Sequence, residues 1–200
     1  GDHRDLHSFP TRRSSDLALY AKGKADGFHK VTDKTKWREL VMAEKLGHKA
    51  LPKISSGKNT EGYGSDAVDQ QTGAKAEYKS KAIEDRELRN LLQRSRGNRG
   101  KTYAALTVGG VYNGAYNHEA VDVYEKIDHY FGVFYEELCV LIIQPRTEEV
   151  IGQLRRELDR RAALSKKGST NLNTVSINLT DTHLYSVVYK NQQWFDEQSK

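Results

Sequence analysis

Apolar positions along the chain follow two periods. Between Lys36 and Leu46, Trp37, Leu40 and Val41 fall at i, i+3 and i+4, the stripe of an amphipathic helix that closes at Gly47. The next position on that stripe is Glu44, so the helix is expected to aim a carboxylate at the interior. Thr147 to Leu164 repeats the period more cleanly through Val150, Ile151, Leu154 and Leu158, with Thr147 as its expected cap and Glu148 and Glu149 suited to its positive end. Period two appears at Val175, Ile177 and Leu179, which alternate with Ser176, Asn178 and Thr180 as in a half-buried strand, and Leu184 to Tyr189 is expected to be its partner. His129 to Tyr135 and Leu138 to Gln144 are continuous apolar runs split by Glu136 and Glu137, and strands of that kind are covered on both faces.

The remaining segments are weaker in pattern. Leu51 to Ser55 reads as a short strand, followed by a Gly/Ser/Asn loop with Lys58 near its tip. Ile83 to Arg99 is charged and helical in propensity, and Lys101 to Gly110 leads into a Tyr-rich connection containing Asn113, Tyr116 and His118. Glu119 to Ile127 reads as another short helix. The predicted order is helix, three strands, helices, two strands, helix and hairpin, an α/β (α+β) fold with a central mixed sheet flanked by helices.

The first seventeen residues, GDHRDLHSFPTRRSSDL, stand apart: they have neither period and mix Pro10 with scattered charges. They resemble the translation of a sequencing-library adapter and are expected to be a poorly ordered scar, leaving residues 18–200 as a single domain whose native start has been lost. Their Arg4, Arg12 and Arg13 cancel Asp2, Asp5 and Asp16, so the net charge of +5 belongs to the rest of the chain. That balance, with an isoelectric point near 9.1, favours polyanionic partners such as nucleic acid. The single cysteine, Cys139, sits in an apolar run, which excludes an intramolecular disulfide framework and a Cys-rich zinc site and suits a reducing cytosol. No apolar run approaches the roughly 20 residues of a bilayer span.

Ser65 to Ser80, SDAVDQQTGAKAEYKS, reads as a hairpin with acids and lysines where apolar residues would serve the fold better. A two-residue Gln71-Thr72 loop or a four-residue Gln70 to Gly73 loop makes opposed positions sum to 143, which sets Asp66 across from Glu77. Opposed residues share a face with Cβ atoms about 5 Å apart, and Lys79 points the same way as Glu77. A three-residue loop would shift the register and undo this. Two readings of the face are open. It is a solvated surface with a Glu77 to Lys79 ion pair, or it is a site in which a hard cation such as Mg²⁺ relieves the repulsion of Asp66 and Glu77 while Lys79 holds a water. Asp69 is a rival for Asp66, but it pairs with Ala74 at the turn and points to the other face.

Asp66 and Glu77-Tyr78-Lys79 resemble the active-site motif of the PD-(D/E)XK nuclease superfamily, although Gly64 and Ser65 stand where its proline would be. The likeness covers about Lys36 to Gln144 and extends to the order of elements in small restriction endonucleases. It implies a restriction-endonuclease-like core and a Mg²⁺-dependent endodeoxyribonuclease of type II restriction kind. It further implies Asp66 and Glu77 on the metal, Lys79 on the attacking water, Glu44 as an added helix acid, and a homodimer acting on double-stranded DNA. A structure-selective or repair nuclease of the same superfamily, or a basic DNA-binding module without catalysis, are the alternatives. Lys58, Arg96, Arg99 and Lys101, in or between glycines, are the candidate phosphate contacts. The basic run Arg155 to Lys167 reads as ordinary helix surface with Glu157 and Arg161 paired at i, i+4. His29, His48, His118, His129 and His183 lack metal-binding spacing and read as surface or packing residues.

Overall fold

The computed structural model describes residues 14–26, 33–51, 65–93, 105–113, 118–163 and 172–198. Helix α1 (Ser14–Ala25) includes Ser14 to Leu17, the end of the segment expected to be poorly ordered. Helix α2 (Lys34–Leu46) starts where the Asp33 carboxylate accepts the Thr35 and Lys36 amides at 2.9 and 3.2 Å, and it stops at Gly47, whose φ of 70° suits a residue without Cβ.

Strand β1 (His48–Ala50) then runs antiparallel to β2 (Ala67–Asp69), and β2 runs antiparallel to β3 (Lys75–Ala82). The expected strand at Leu51 to Ser55 therefore begins three residues earlier, and its residues beyond Leu51 lie outside the described ones. After helix α3 (Asp85–Leu92), strand β4 (Thr107–Asn113) and the short helix α4 (Glu119–Asp122), the chain returns as β5 (Asp128–Tyr135), parallel to β3. A two-residue turn leads into β6 (Leu138–Pro145). Its Glu136 and Glu137 both have positive φ, 48° and 62°, the hand that matches strand twist in a tight hairpin. Arg38 of α2 clasps Glu137 with two hydrogen bonds of 2.9 and 2.7 Å, tying the turn to the helix.

Helix α5 (Thr147–Ala163) buries Val150, Ile151, Leu154 and Leu158, the stripe its sequence predicts, with Thr147 as its first residue. Strands β7 (Leu172–Asn178) and β8 (Tyr185–Lys190) and helix α6 (Gln192–Glu197) complete the described chain. The main sheet has the order β1-β2-β3-β5-β6-β8, mixed in direction, and helices flank it. The fold is α+β.

One pairing differs from expectation. Strands β7 and β8 do not pair: β7 forms a separate ribbon with β4, and β8 takes the edge of the main sheet beside β6. A 3-10 turn at Thr182–Leu184 redirects the chain between them. Alternation specifies which face of a strand is buried and is silent on its neighbour, and here the partner for β7 is Thr107 to Asn113, part of it in the stretch read as a Tyr-rich connection.

The sheet separates two apolar layers. On one side Trp37, Leu40 and Met42 of α2 pack with Tyr78, Tyr130, Phe134 and Ile142. On the other, α5 and the β4–β7 ribbon pack with Phe131, Val133, Leu141 and Ile143. Strands β5 and β6 are thus covered on both faces, as their continuous apolar runs require. Cys139 is buried, and burial pushes its thiol up to about 12. No described helix is long and apolar enough to cross a membrane.

His129 is fully buried in the second layer. Its Nε2 lies 2.9 Å from the Tyr124 carbonyl and its Nδ1 lies 3.0 Å from the Tyr112 hydroxyl. A carbonyl only accepts, so Nε2 carries the proton and Nδ1 accepts from the tyrosine. Burial pushes this imidazole down to about 4. Because the unfolded chain binds the proton more tightly, stability contributed by neutral His129 is complete above pH 6.5 and falls as pH drops toward about 4, by up to roughly 3 kcal/mol. Urea midpoints measured from pH 7 to pH 4 should therefore fall more steeply for the natural chain than for His129→Gln, which cannot take up that proton.

Candidate active site

The hairpin has the four-residue loop, Gln70 to Gly73. Asp69 donates its N–H to Ala74 at 2.9 Å, Gly73 donates back to the Asp69 carbonyl at 2.9 Å, and Gly73 has φ of 74°. The Asp69 carboxylate serves this turn: it accepts the Gln71 amide at 2.8 Å and the Thr72 hydroxyl at 2.8 Å. Those bonds, the Gln71 N–H first, hold its carboxyl below the usual range. Asp69 is a turn former, and the register it sets pairs Ala67 with Ala76 and Val68 with Lys75.

That register sums to 143 for both pairs, but it does not extend to the expected pair of Asp66 with Glu77. At Asp66 the second strand departs. Its N–H still donates to Ala76 at 2.8 Å, while its carbonyl accepts from Leu51 at 2.8 Å. Its side chain then takes the place of the next backbone carbonyl: Oδ2 accepts the Tyr78 N–H at 2.8 Å. Among the described residues β3 has no further pairing with β2 beyond this point, and a cleft of about 240 Å³ lies beside it. Asp66, Lys79 and Ser80 line it from the sheet, Arg38, Glu39 and Met42 from α2, and Gly110 and Val111 from β4.

Glu77 and Lys79 project to the same side of β3 and form an ion pair. Asp66 is 2% and Glu77 4% exposed. On the opposite side of the strand, the Tyr78 hydroxyl is 2.7 Å from His48 Nδ1, and burial raises that phenol well above its usual range. Tyr112 of β4, also fully buried, is raised by burial and then by the nearby Glu77 charge.

Glu44 does not point to the interior as expected. Glu44 is exposed and lies 3.8 Å from Lys22 of α1, on the side of α2 turned away from the cleft. Glu39 instead is buried and lines the cleft, where Lys36 pairs with it at 2.6 Å. The reason lies in how completely α2 is covered: Trp37, Leu40 and Val41 are buried, and so are Glu39, Met42 and Ala43. A helix buried on more than one side carries more than one apolar stripe. The stripe that faces the cleft is Thr35, Arg38, Glu39 and Met42, at i, i+3, i+4 and i+7. Met42 was its apolar marker, since the space beside Gly132 of β5 is filled by the Met42 thioether.

Lys58, Arg96, Arg99 and Lys101 lie outside the described residues. Of the other candidates, His118 pairs with Asp159 at 3.0 Å, and Glu157 is bound by Arg160 and Arg161 at 2.7 Å each. Those contacts fit ordinary helix surface. Among the described residues no three His, Cys, Asp or Glu side chains converge as a metal cage. The donors available are carboxylate oxygens, chiefly Asp66 and Glu77, with Glu39 across the cleft. A small hard cation suits such a set, because it binds through one or two protein carboxylates and completes its shell with water and phosphate oxygens. No protein-family model matches the chain, and no curated protein matches it in sequence.

Because Gly73 alone carries the left-handed conformation of the loop, Gly73→Ala should cost about 1 kcal/mol in denaturant unfolding, and Gly73→Asn should cost less.

Proposed function

We propose that the chain is a Mg²⁺-dependent endodeoxyribonuclease that hydrolyses phosphodiester bonds in double-stranded DNA. The observation that carries this reading is the break in the sheet at Asp66, where Asp66, Lys79 and Glu39 line one cleft and the buried Glu77 pairs with Lys79. Buried acids beside a lysine cost stability in a protein that only needs to fold, so their concentration where the sheet opens at Asp66 favours chemistry over packing. The net charge of +5 favours a polyanionic substrate.

In this reading Asp66 and Glu77 would hold the cation, with Glu39 as a further carboxylate lining the cleft. The cation, when bound, offsets charge on the phosphate oxygens and the leaving alkoxide. Lys79 orients the water that attacks in line, donating a hydrogen bond that fixes its lone pair toward phosphorus. The Tyr78 amide holds the Asp66 carboxylate in one orientation, so the metal-binding oxygens do not have to be ordered when substrate arrives. The more specific form, a type II restriction enzyme cutting a short palindrome, follows from the motif's resemblance to the PD-(D/E)XK nucleases. It requires a twofold pair of chains to present two clefts to two antiparallel strands.

Incubation of plasmid and phage DNA with the protein should give discrete fragments with Mg²⁺ and intact DNA with EDTA. Lys79→Ala and Asp66→Ala should lower the rate by about 10²-fold or more. Glu39→Gln should reduce it as well, whereas Glu44→Gln should cleave like the natural chain. A smear in place of bands would indicate a nuclease without sequence specificity. Intact DNA from folded protein under every metal condition, with duplex binding indifferent to Mg²⁺ and steep in salt, would point to a DNA-binding module.

A further inference from the structure

Lys79 is held by residues that lie outside the Asp66 and Glu77-Tyr78-Lys79 motif. Its ammonium sits 4.6 Å from the centroid of the Tyr112 ring, on the strand β4 that forms one wall of the cleft. Its stem crosses Gly110 of the same strand. A Cβ at that position would lie 2.5 Å from Lys79 Cγ and 2.6 Å from its Cβ and Cδ, so the stem fills space that any other residue would occupy.

The ring itself is fixed from behind. Tyr112 is fully buried, and its hydroxyl donates to His129 Nδ1 at 3.0 Å, while His129 is anchored to the Tyr124 carbonyl at 2.9 Å. His129 is also the register partner of Glu77 in the parallel pairing of β3 and β5. The same two strands therefore carry the Lys79 counter-charge and the clamp on its aromatic platform.

A lysine stem has several rotatable bonds, and an ion pair to Glu77, two residues away, constrains only its end. A π-face attracts a cation most when water is excluded, and the Lys79 side chain is 17% exposed. We propose that Tyr112 is a positioning residue for Lys79: its buried ring and the slot at Gly110 together set where the ammonium stands in the cleft. The catalytic consequence rests on the nuclease reading, whereas the placement of Lys79 does not.

The test uses the full chain labelled with ¹⁵N-lysine, with the Lys79 ammonium resonance assigned by its loss in Lys79→Arg. An aromatic face at this distance shifts that resonance upfield. The shift should be present in the natural chain and in Tyr112→Phe, and lost in Tyr112→Leu and in Gly110→Ala. Gly110→Ala leaves the buried ring in place and serves if Tyr112→Leu does not fold.

In Mg²⁺-dependent cleavage, Tyr112→Leu and Gly110→Ala should lower kcat by about tenfold with KM for DNA within about twofold, and Tyr112→Phe should recover most of kcat. An unchanged Lys79 resonance in folded Gly110→Ala or Tyr112→Leu would overturn the proposal, as would natural kcat in either. Absence of cleavage by the natural chain would instead remove the nuclease reading, and the ammonium resonance alone would decide the role of Tyr112.

Discussion

The hydrogen bond from the Tyr78 amide to the Asp66 carboxylate, 2.8 Å long, is the point on which the site depends. A strand at the edge of a sheet must satisfy each inward N–H, and when its neighbour departs that donor is exposed or lost. Here a side chain supplies the acceptor in place of a backbone carbonyl. The neighbour is therefore free to leave, the sheet opens, and the replacement acceptor is itself an acid lining the resulting cleft. One interaction ends a strand and places a buried carboxylate at the cleft.

The cost of that arrangement is met by the rest of the fold. Asp66, Glu77 and Glu39 are all buried, and buried carboxylates are stabilising only with cations and hydrogen bonds near them. Lys79 stands against Glu77, Lys36 against Glu39, and Arg38, which also lines the cleft, is committed to Glu137 at the β5–β6 turn. The two apolar layers hold these groups rigidly because β3 and β5 are sandwiched between α2 on one side and the β4–β7 ribbon on the other. Gly110 and Gly132 mark where that packing is closest: the Lys79 stem at the first, and the Met42 thioether at the second, occupy the space of a missing Cβ.

Much of this was legible in the chain. Helix α5 was readable because a one-sided stripe has a single solution, and β5 and β6 because continuous apolar runs need two covers. The hairpin register was readable because Asp69, Thr72 and Gly73 are turn chemistry whose loop length fixes the pairing. Helix α2 misled for a physical reason: its apolar residues surround most of its circumference, so the stripe through Trp37, Leu40 and Val41 did not identify the face turned to the cleft. Glu39 lines the cleft, and Glu44 is exposed. The partner of β7 was likewise beyond reach, since alternation encodes burial and not neighbour identity.

What the sequence determined by itself is local: the helix stop at Gly47, the turn at Gln70 to Gly73, and with it the pairing of Ala67 with Ala76 and of Val68 with Lys75. These follow from interactions between residues a few positions apart, for which spacing is sufficient information. Only the tertiary structure decided which acid of α2 lines the cleft, that β4 pairs with β7, and that Tyr112 and Gly110 of β4 lie against Lys79. Those contacts join segments about 30 or more positions apart, and their geometry is set by how layers pack, which no local period records.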